Sequence, residues 1–468
     1  METLTKFIEW WFTGLPKAVD NFLSTWEFRG MGLEAPFVAL TWLVFFFWLF
    51  AHPEAASTVG AMLAVTVPFI LPFGLYKLSS EARTEYVRFK NYAGTDFCVL
   101  EIKLPEEINQ TPYAMELVLR ALYQSGAGPT KYHNWKFGEM PAWFSLELAS
   151  DEGRIHFYIW TRKKLKTIVE NQLYAHYPTV QVVEVPDYTL KMPLDPAAVT
   201  VTGVEFALQK PDPYPILTYV EIGMDKPGTK EEFKHDPLTS VLEFLGSMKE
   251  GEQAWIQFII RAHDSDMPCA GSAPAAVDSK TKKSLGRAVG IAEWAEIEVE
   301  NINNKAKSKD ANDFSSFMRL TEGDRNNIKA IQNKLNKQLF EVGIRTLYIA
   351  DKKKAQSPAL TGLASTFRSY EHGSIGRGLN GFKPVFWIGP FNFPWHDFQN
   401  IRRHMLWERY YEAYTMRQFF YPPHSHPYIV LNTEELASVY HFPGKVVATP
   451  TLQRMPSKRA EAPSNLPV

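Results

Sequence analysis

Two long apolar runs near the start of the chain constrain its fold more than any other feature. The first covers residues 36–51 and the second residues 58–76; neither carries a charge, and residues 52–57 separate them. A helix that crosses a membrane needs about 20 mostly apolar residues, with a lower limit near 17. The second run meets this length and the first is marginal. The sequence therefore predicts a transmembrane hairpin over 36–77, with a helical hairpin buried in a soluble core as the alternative.

The distribution of Lys and Arg predicts the orientation of this hairpin. Cytoplasmic flanks carry an excess of these residues, and here they lie on both outer sides of the hairpin but not in its connecting loop. They are Lys6, Lys17, Arg29, Lys77, Arg83, Arg88 and Lys90. We therefore expect a multi-pass protein of the inner cell membrane with both termini in the cytoplasm. For residues 1–35 two readings stay open: an amphipathic segment in the headgroup layer, or a helix packed on the cytoplasmic domain.

Composition bounds the rest of the 468-residue chain, which is long enough for two or three further domains. The formal net charge of −1 at pH 7 provides no overall field that would attract nucleic acid or anionic lipid. The two cysteines, Cys98 and Cys269, give neither a disulfide framework nor a metal-ligand spacing. This cysteine usage fits a reducing cytoplasm.

Residues 90–190 have the pattern of a ferredoxin-like unit, in which strands and helices follow the order βαββαβ. Thr111 followed by Pro112 is typical of a helix N-cap and first helical position. The turn at 151–153 separates two alternating apolar runs, which predicts a hairpin. The predicted strands are 97–104, 142–149, 154–160 and 180–185, and the predicted helices are 113–124 and 162–177.

Residues 200–355 contain strand and helix patterns in the same order, which predicts a second ferredoxin-like unit. Residues 219–224 echo 99–104 and are predicted as its first strand, with 201–208 as an added edge strand. A polar stretch, 264–321, interrupts the unit as a helical insertion. The other predicted elements are helices 238–248, 284–301 and 324–340 and strands 254–262 and 344–350. The predicted fold class is α+β: a transmembrane hairpin followed by tandem ferredoxin-like units with a helical insertion.

The C-terminal part differs in composition. Residues 356–445 are rich in aromatic side chains and predict a mixed, mainly helical region, with a helix over 358–369. Asn432 and Glu435 have the spacing of a capping box at the start of a short helix. Residues 446–468 have the Pro, Ser, Lys and Arg content of an exposed linker or tail.

The motifs in the sequence predict no catalytic residue, no cofactor-binding site and no metal site. Gly376, Gly378 and Gly381 match G-x-G-x-x-G, but a dinucleotide site needs a preceding strand and a following helix. His424 and His426, with His441 as a third ligand, could hold a metal, yet no nearby carboxylate supports this, and loop histidines are the preferred reading. We therefore expect a protein that is not an enzyme; an enzyme of unrecognised type would need a pocket with convergent titratable groups.

Two groups of side chains are candidate interaction sites. Aromatic residues mixed with Arg are typical of protein interfaces, and a core helix with a charged outer face is the alternative. This group is Arg402, Arg403, Trp407, Arg409, Tyr410, Tyr411, Tyr414 and Arg417. A basic cluster at a predicted helix start suits lipid headgroups or nucleic-acid phosphates, and a solvated helix face is the alternative. This cluster is Arg162, Lys163, Lys164 and Lys166.

Three segments, 216–228, 254–262 and 431–468, resemble the N-terminal half of membrane-anchored conjugation-type ATPases. These are type IV secretion coupling-protein and HerA/FtsK-like chains of small-genome bacteria. The resemblance covers most of residues 36–468 and is strongest at 433–443, TEELASVYHFP, and 463–467, PSNLP. In that group two membrane helices lead into an α+β region, and a P-loop motor follows the linker.

This sequence ends at Val468, where the resemblance would place the motor, so no catalytic residue is carried over. We expect either a motor on a separate polypeptide or a longer parent protein. The resemblance implies a non-catalytic subunit of a type IV secretion or conjugative DNA-transfer apparatus. Its expected partners are a P-loop ATPase in trans, membrane lipids, further copies of itself, and nucleic acid as cargo. The alternative is a membrane-tethered nucleic-acid-binding module.

Overall fold

The computed structural model describes most of the chain between residues 34 and 455. The described ranges are 34–105, 108–124, 130–191, 198–225, 236–264, 267–269, 273–277, 284–306, 320–355, 359–371, 379–388, 397, 401–422, 424–444 and 454–455. The predictions for residues 1–33, for Gly376 and Gly378, and for most of the tail lie outside these ranges. The chain divides into two compact units, Met1–Phe89 with Gly389–Met405, and Lys90–Ile388 with Leu406–Val468.

Two helices cover the apolar runs: α1, Glu34–Ala51, and α2, Pro53–Ala93. Proline removes a helical hydrogen bond and bends a helix, and α2 contains Pro68 and Pro72. Among the described residues, no single helix qualifies by length and apolar character as a membrane span. The two arms of α2, Pro53–Phe69 and Leu71–Ala93, meet at 47° and qualify only as a pair, by length and composition. The transmembrane hairpin thus stays a prediction.

The second unit begins with four strands and three helices. They are β1 Phe97–Pro105, α3 Pro112–Leu122, α4 Lys131–Phe137, β2 Trp143–Asp151, β3 Arg154–Arg162, α5 Lys166–His176 and β4 Gln181–Val185. Pro112 takes the first helical position of α3, as predicted, and Thr111 is its N-cap residue without a side-chain hydrogen bond. At the β2–β3 turn, Glu152 and Gly153 have φ angles of 53° and 86°, a backbone that suits a tight hairpin.

The remaining elements belong mainly to the same unit. They are β5 Val199–Leu208, α6 Leu238–Gly246, β6 Glu252–His263, β7 Ala275–Val277, β8 Ser284–Ala288, α7 Ile291–Ala306, α8 Glu322–Leu335, β9 Leu339–Asp351, α9 Ala359–Ser365, β10 Phe382–Trp387, α10 Ile401–Thr415, β11 Ile429–Asn432, α11 Thr433–Val439 and β12 Arg454–Met455. The helices at 238–246 and 433–439 lie where the sequence predicts them. The predicted capping box is confirmed, because Asn432 and Glu435 each bond the other's backbone N–H.

One ten-stranded sheet organises this unit, with the order β10-β5-β9-β6-β2-β3-β1, β4 paired to β1, and β11 paired to β9. These pairings are all antiparallel, and β12 alone adds in parallel to β1. The centre is the β2–β6 pair, where Leu146 lies opposite Phe258. On either side of that pair the strands continue as β2-β3-β1-β4 and as β6-β9-β5-β10. The α+β class is therefore confirmed.

The two faces of the sheet have different cores. One face packs aliphatic side chains such as Leu148, Ile256 and Ile344 against the helices, and all three are fully buried. The opposite face is aromatic, with Trp160 and Trp255 packed together with residues of α10. Each such side chain contributes about 1.5–3 kcal/mol when it leaves water. Because both faces of the sheet are covered by apolar cores, the central strands consist of nearly continuous apolar residues.

Several predicted elements of the second half are wrong. Residues 219–224 form turns, because Gly223 has a φ angle of 77° and Ile222 N–H donates to Thr218 O. The strand predicted at the edge, 201–208, is instead β5, held between β9 and β10. The start of the predicted helix 284–301 is instead strand β8, and the end of the predicted helix 324–340 is the start of strand β9. Strand pairing over Leu339–Asp351 overrides the helical pattern that precedes it.

Candidate functional site

A groove of about 930 Å³ lies at one end of the sheet, where β3 and β6 end and β1 and β2 begin. Its volume is within the range of ligand pockets in proteins. Six charged residues line it: Asp96, Glu139, Arg162, Lys163, Lys164 and Asp264. Their formal charges cancel, so the groove suits a ligand that carries both signs, not a polyanion.

Arg162, the first residue of the predicted basic cluster, is held by the fold. Its Nη2 donates to Met140 O at 3.0 Å and Pro141 O at 3.1 Å, and its guanidinium lies 5.0 Å from the ring centre of Trp143. Burial lowers the pKa of Arg162, while the charges of Tyr421 and Glu139 act to raise it. Its Nε is buried without a hydrogen-bond partner. Within the described residues no carboxylate pairs with this cation.

The other three residues of the cluster divide into two kinds. Lys166 lies 2.6 Å from Glu184 and 3.7 Å from Glu170, so it is an intramolecular ion-pair residue. Lys163 and Lys164 are exposed and line the groove. The structure thus leaves two of the four predicted side chains accessible to a partner.

Half of the residues predicted as an aromatic and Arg-rich interaction surface are buried. Trp407, Tyr410 and Tyr414 are buried in the aromatic core and Arg417 is buried beside it, which matches the alternative of a core helix with a charged outer face. Tyr410 donates its hydroxyl to the backbone oxygens of Val204 in β5 and Thr346 in β9. The remaining four residues keep solvent access, and the docking prediction stays open for them. They are Arg402, Arg403, Arg409 and Tyr411.

The predicted residues fall into both compact units. Arg402 and Arg403 belong to the first, where their backbone N–H groups donate to the Asp397 carboxylate at 2.8 and 3.3 Å. The other six belong to the second.

Arg417 is the centre of a buried ion-pair network. Its Nε and Nη2 donate to the two oxygens of Glu147 at 3.0 and 3.1 Å, and its Nη1 and Nη2 donate to Asp187. Tyr188 and Ser145 donate their hydroxyls to Glu147 at 2.9 and 2.6 Å. Because every partner of Glu147 is buried as well, the network fixes the C-terminal segment to the middle of the sheet.

The charges of this network stabilise one another. Burial acts to lower the pKa of Arg417, but Glu147 and Asp187 outweigh it and hold that pKa well above its usual range. Burial likewise acts to raise the pKa of Asp187, and the Arg417 charge and hydrogen bonds outweigh it, so that pKa is lowered. Arg417 also has a φ angle of 51°, an unusual backbone for a side chain of its size. These features indicate a structural centre.

A second buried network holds α11, the segment that carries the family resemblance. Lys334 Nζ lies 3.0 Å from Glu435 Oε2, and both side chains are fully buried. Glu435 also accepts from the N–H of Ile216 at 2.9 Å. Lys337 reaches Glu116 of α3 and Glu434 of α11 at 2.8 and 2.7 Å. The TEEL residues therefore join the two halves of the sheet.

Two of the three histidines considered for a metal pair with carboxylates instead. His426 Nδ1 lies 2.8 Å from Glu205, and His441 Nε2 lies 3.0 Å from Asp236, so carboxylates are present where the sequence suggested none. His424 is buried with neither ring nitrogen hydrogen-bonded, and burial lowers its pKa to about 4. In the part of the chain that the structure describes, no group of three or more His, Cys, Asp or Glu residues could hold a metal.

Sequence reasoning missed the acidic residues of both the groove and the network. Glu147 lies in an alternating strand pattern, and its partner Arg417 is 270 residues away. The acidic groove residues come from separate loops that only the sheet brings together. The one signal of the network in the sequence was that Ser145 and Glu147 are polar residues within an otherwise apolar strand, where a buried polar group needs a partner.

The fold defines an α+β protein built on one large, mostly antiparallel sheet. Residues 99–455 match the model of a family described as a domain of unknown function, DUF8128, and the chain belongs to this family. The match begins in β1 and ends in β12, so it includes every strand of the sheet and leaves out α1 and α2. No curated protein matches the chain.

Proposed function

We propose that this chain is a membrane-anchored, non-catalytic subunit of a type IV secretion or conjugative DNA-transfer apparatus. In this proposal α1 and α2 tether it as a hairpin with both ends in the cytoplasm. Its sheet-containing unit docks a separate P-loop ATPase at the cytoplasmic face. Anchoring is supported by the structure of the helices, and the apparatus is supported by the sequence resemblance.

The exposed apolar side chains of α1 and α2 are the observation that carries the anchoring. Phe47 is 78% exposed and Phe50 is 93% exposed, and large apolar residues continue along α2. The exposed apolar residues of the two helices include Leu40, Leu43, Val44, Phe46, Met62, Val65, Phe69, Leu71, Phe73 and Leu75. Soluble monomers rarely expose contiguous apolar surface of this extent, and hydrocarbon would cover it.

The architecture supports a pair of ferredoxin-like units within this proposal. Such a unit has the strand order 4-1-3-2, and both β4-β1-β3-β2 and β10-β5-β9-β6 follow it. Helices α3 and α5 in one half, and α6 and α9 in the other, occupy the crossover positions. The helical insertion falls between β6 and β9. The two units would share one sheet through the β2–β6 pair.

The nucleic-acid-binding alternative gains no specific support. Arg162 and Lys166 are engaged within the chain, and the groove beside Lys163 and Lys164 contains as many acidic as basic residues. The aromatic face of the sheet, on which bases would stack, is packed against α10 and is buried at Tyr158 and Trp160.

Thiol labelling tests the anchoring. Cys98 and Cys269 are buried, so a cysteine introduced at an exposed position is labelled selectively. In intact cells a membrane-impermeant maleimide should label Ser57→Cys, in the connecting segment, and should not label Leu190→Cys until the cells are opened. Labelling of both or of neither in intact cells would contradict the proposed topology. Extraction of the chain by alkaline carbonate would also contradict it.

Co-purification tests the partnership. The chain, solubilised in detergent, should retain a P-loop ATPase encoded beside it that lacks its own membrane segment. A matched chain carrying Arg409→Glu, at an exposed position of α10, tests whether that helix contributes. If no such ATPase binds the intact chain, the secretion part of the proposal fails while the anchoring is unaffected.

A further inference from the structure

Helix α4 is a short, well-defined element that the functional proposal does not use. Thr130 caps its start, accepting from His133 N–H at 3.3 Å, and Gly138 ends it in the left-handed conformation with a φ angle of 66°. Both caps are typical helix boundaries and fix the orientation of a seven-residue segment that would be marginal alone.

The side chains of α4 are mostly exposed, although three of them are large and aromatic. Tyr132 is 55% exposed, Trp135 is 50% exposed and Phe137 is 46% exposed. Lys136 lies among them: its Nζ donates to the Tyr132 hydroxyl at 2.8 Å and lies 5.2 Å from the ring centres of Tyr132 and Phe137. The result is a small aromatic surface with a cation at its centre.

We propose that α4 is a second membrane contact, whose three aromatic side chains enter the headgroup layer while Lys136 meets lipid phosphate. Trp and Tyr are the residues enriched at membrane interfaces, and Lys reaches from apolar surface toward anionic headgroups. The proposal rests on the membrane anchoring proposed above and adds a contact by the sheet-containing unit.

The small size of this surface favours a membrane over a protein partner. Three aromatic side chains on two helical turns are far below the area of a stable protein interface. A tethered domain needs much less, because the tether makes the second contact intramolecular and raises its effective concentration. The groove that Glu139 lines, directly after Gly138, contains equal numbers of acidic and basic residues, so the phosphate contact of this surface rests on Lys136.

Single-cysteine reporters in the full chain test this contact. The background is favourable, because burial raises the pKa of both native thiols, that of Cys269 to about 12. Phe137→Cys, Leu190→Cys and Phe73→Cys would each carry an environment-sensitive dye in nanodiscs of phosphatidylcholine and phosphatidylglycerol. Leu190 is the matched control, since it is an exposed apolar residue, 77% accessible, of the same compact unit.

We expect a blue shift and quenching by headgroup-level spin-labelled lipid at position 137 but not at 190, with quenching by deeper spin labels at 73. If 73 is quenched and 137 remains as water-exposed as 190, the α4 contact is overturned and the anchoring stands. If 73 is not quenched, the anchoring itself fails. A dye at 137 that is shielded from iodide but not quenched by lipid would show a protein contact and overturn the proposal.

The role of Lys136 has its own test. Lys136→Glu should reduce lipid quenching at position 137 severalfold in discs that contain phosphatidylglycerol, and Lys353→Glu, at an exposed position elsewhere in the same unit, should leave it unchanged. Equal quenching in both variants would overturn the phosphate contact of Lys136.

Discussion

Replacing Arg417 with Met should strongly destabilise the chain. The substitution keeps the aliphatic volume but leaves Glu147 fully buried with no counter-charge. Arg417 makes two hydrogen bonds to Glu147 and two to Asp187. Breaking one partner of a buried ion pair costs about 3–5 kcal/mol, and we expect Arg417→Met within this range.

The two carboxylates should contribute unequally to this cost. The Asp187 side chain is 22% exposed and can be hydrated once Arg417 is lost, whereas Glu147 cannot. Glu147→Gln should therefore destabilise the wild-type chain, where it removes the partner of Arg417. In the Arg417→Met background the same change should stabilise, because it removes an uncompensated buried charge.

Urea unfolding of the detergent-solubilised chain, followed by tryptophan fluorescence, measures these free energies. Trp143 donates its indole N–H to Arg417 O at 3.0 Å, so the local packing contributes to the signal. Arg409→Met is the matched control on the exposed face of α10 and should change the free energy of unfolding by less than about 1 kcal/mol. A chain with Arg417→Met as stable as wild type, or Glu147→Gln destabilising both backgrounds equally, would refute the reasoning.

Three further substitutions, one of them with a matched control, have defined outcomes. Asp212→Asn should raise the free energy of unfolding above pH 6, by up to about 3 kcal/mol, and change little below pH 4, as measured by urea unfolding across that range. Gly203→Ala should cost about 1–3 kcal/mol, since the new methyl group would meet the ring of Tyr410. Its control, Gly323→Ala, places the methyl group in ordinary contact with Thr321 Oγ1 at 3.8 Å and should be neutral or stabilising by thermal unfolding. Asn432→Ala removes the capping box and should cost about 1–2 kcal/mol in the same assay.

The sign of the Asp212 effect follows from its pKa. Burial raises that pKa from 3.8 to about 6, although Lys334 and the N–H of Val430 oppose the rise. A raised carboxyl pKa means that the folded chain holds the proton more tightly than the unfolded chain. Its contribution is therefore fully present below pH 4 and is lost as the pH rises through 6. Asparagine carries no charge and avoids this loss; a pH-independent difference between the two chains would contradict the assignment.

Local patterns predicted the first half of the sheet well. Four strands of alternating or continuous apolar residues and the Thr111–Pro112 signal gave elements within a few residues of those observed. The capping box at Asn432 was equally local, because its two hydrogen bonds join residues three positions apart. Such elements depend on neighbours along the chain, and one sequence contains all of the information they need.

The strands of the second half of the sheet were harder to predict from the sequence, because the pairing between distant strands decides which segments become strands. Residues 219–224 copy the apolar pattern of β1, but β5 already occupies the place between β9 and β10, and no strand remains for them to pair with among those described. The 13-residue strand β9 extends five residues before its predicted start because β6 and β11 supply partners there. Strand preference is set by such neighbours more than by the residues themselves.

The candidate sites were also predicted only in part, because the sequence identified the residues and the tertiary structure decided their roles. The sequence identified Arg417, Tyr410 and Tyr414 as unusual, but an aromatic and Arg-rich helix is equally compatible with an interface and with a core. Only the sheet, which brings Glu147 to Arg417 across 270 residues, decided for the core. Lys163 and Lys164 remained accessible because no described carboxylate lies close enough to pair with them.

By itself the sequence determined the two long apolar helices, the α+β class and the helix caps, since each follows from composition or spacing over a few turns. The tertiary structure alone decided that two strand sets join through β2 and β6 into one sheet. It also decided which charges are buried as pairs and which face the groove. The physical reason is that burial and ion pairing depend on contacts between residues far apart in the chain, and those contacts exist only once the strands have paired.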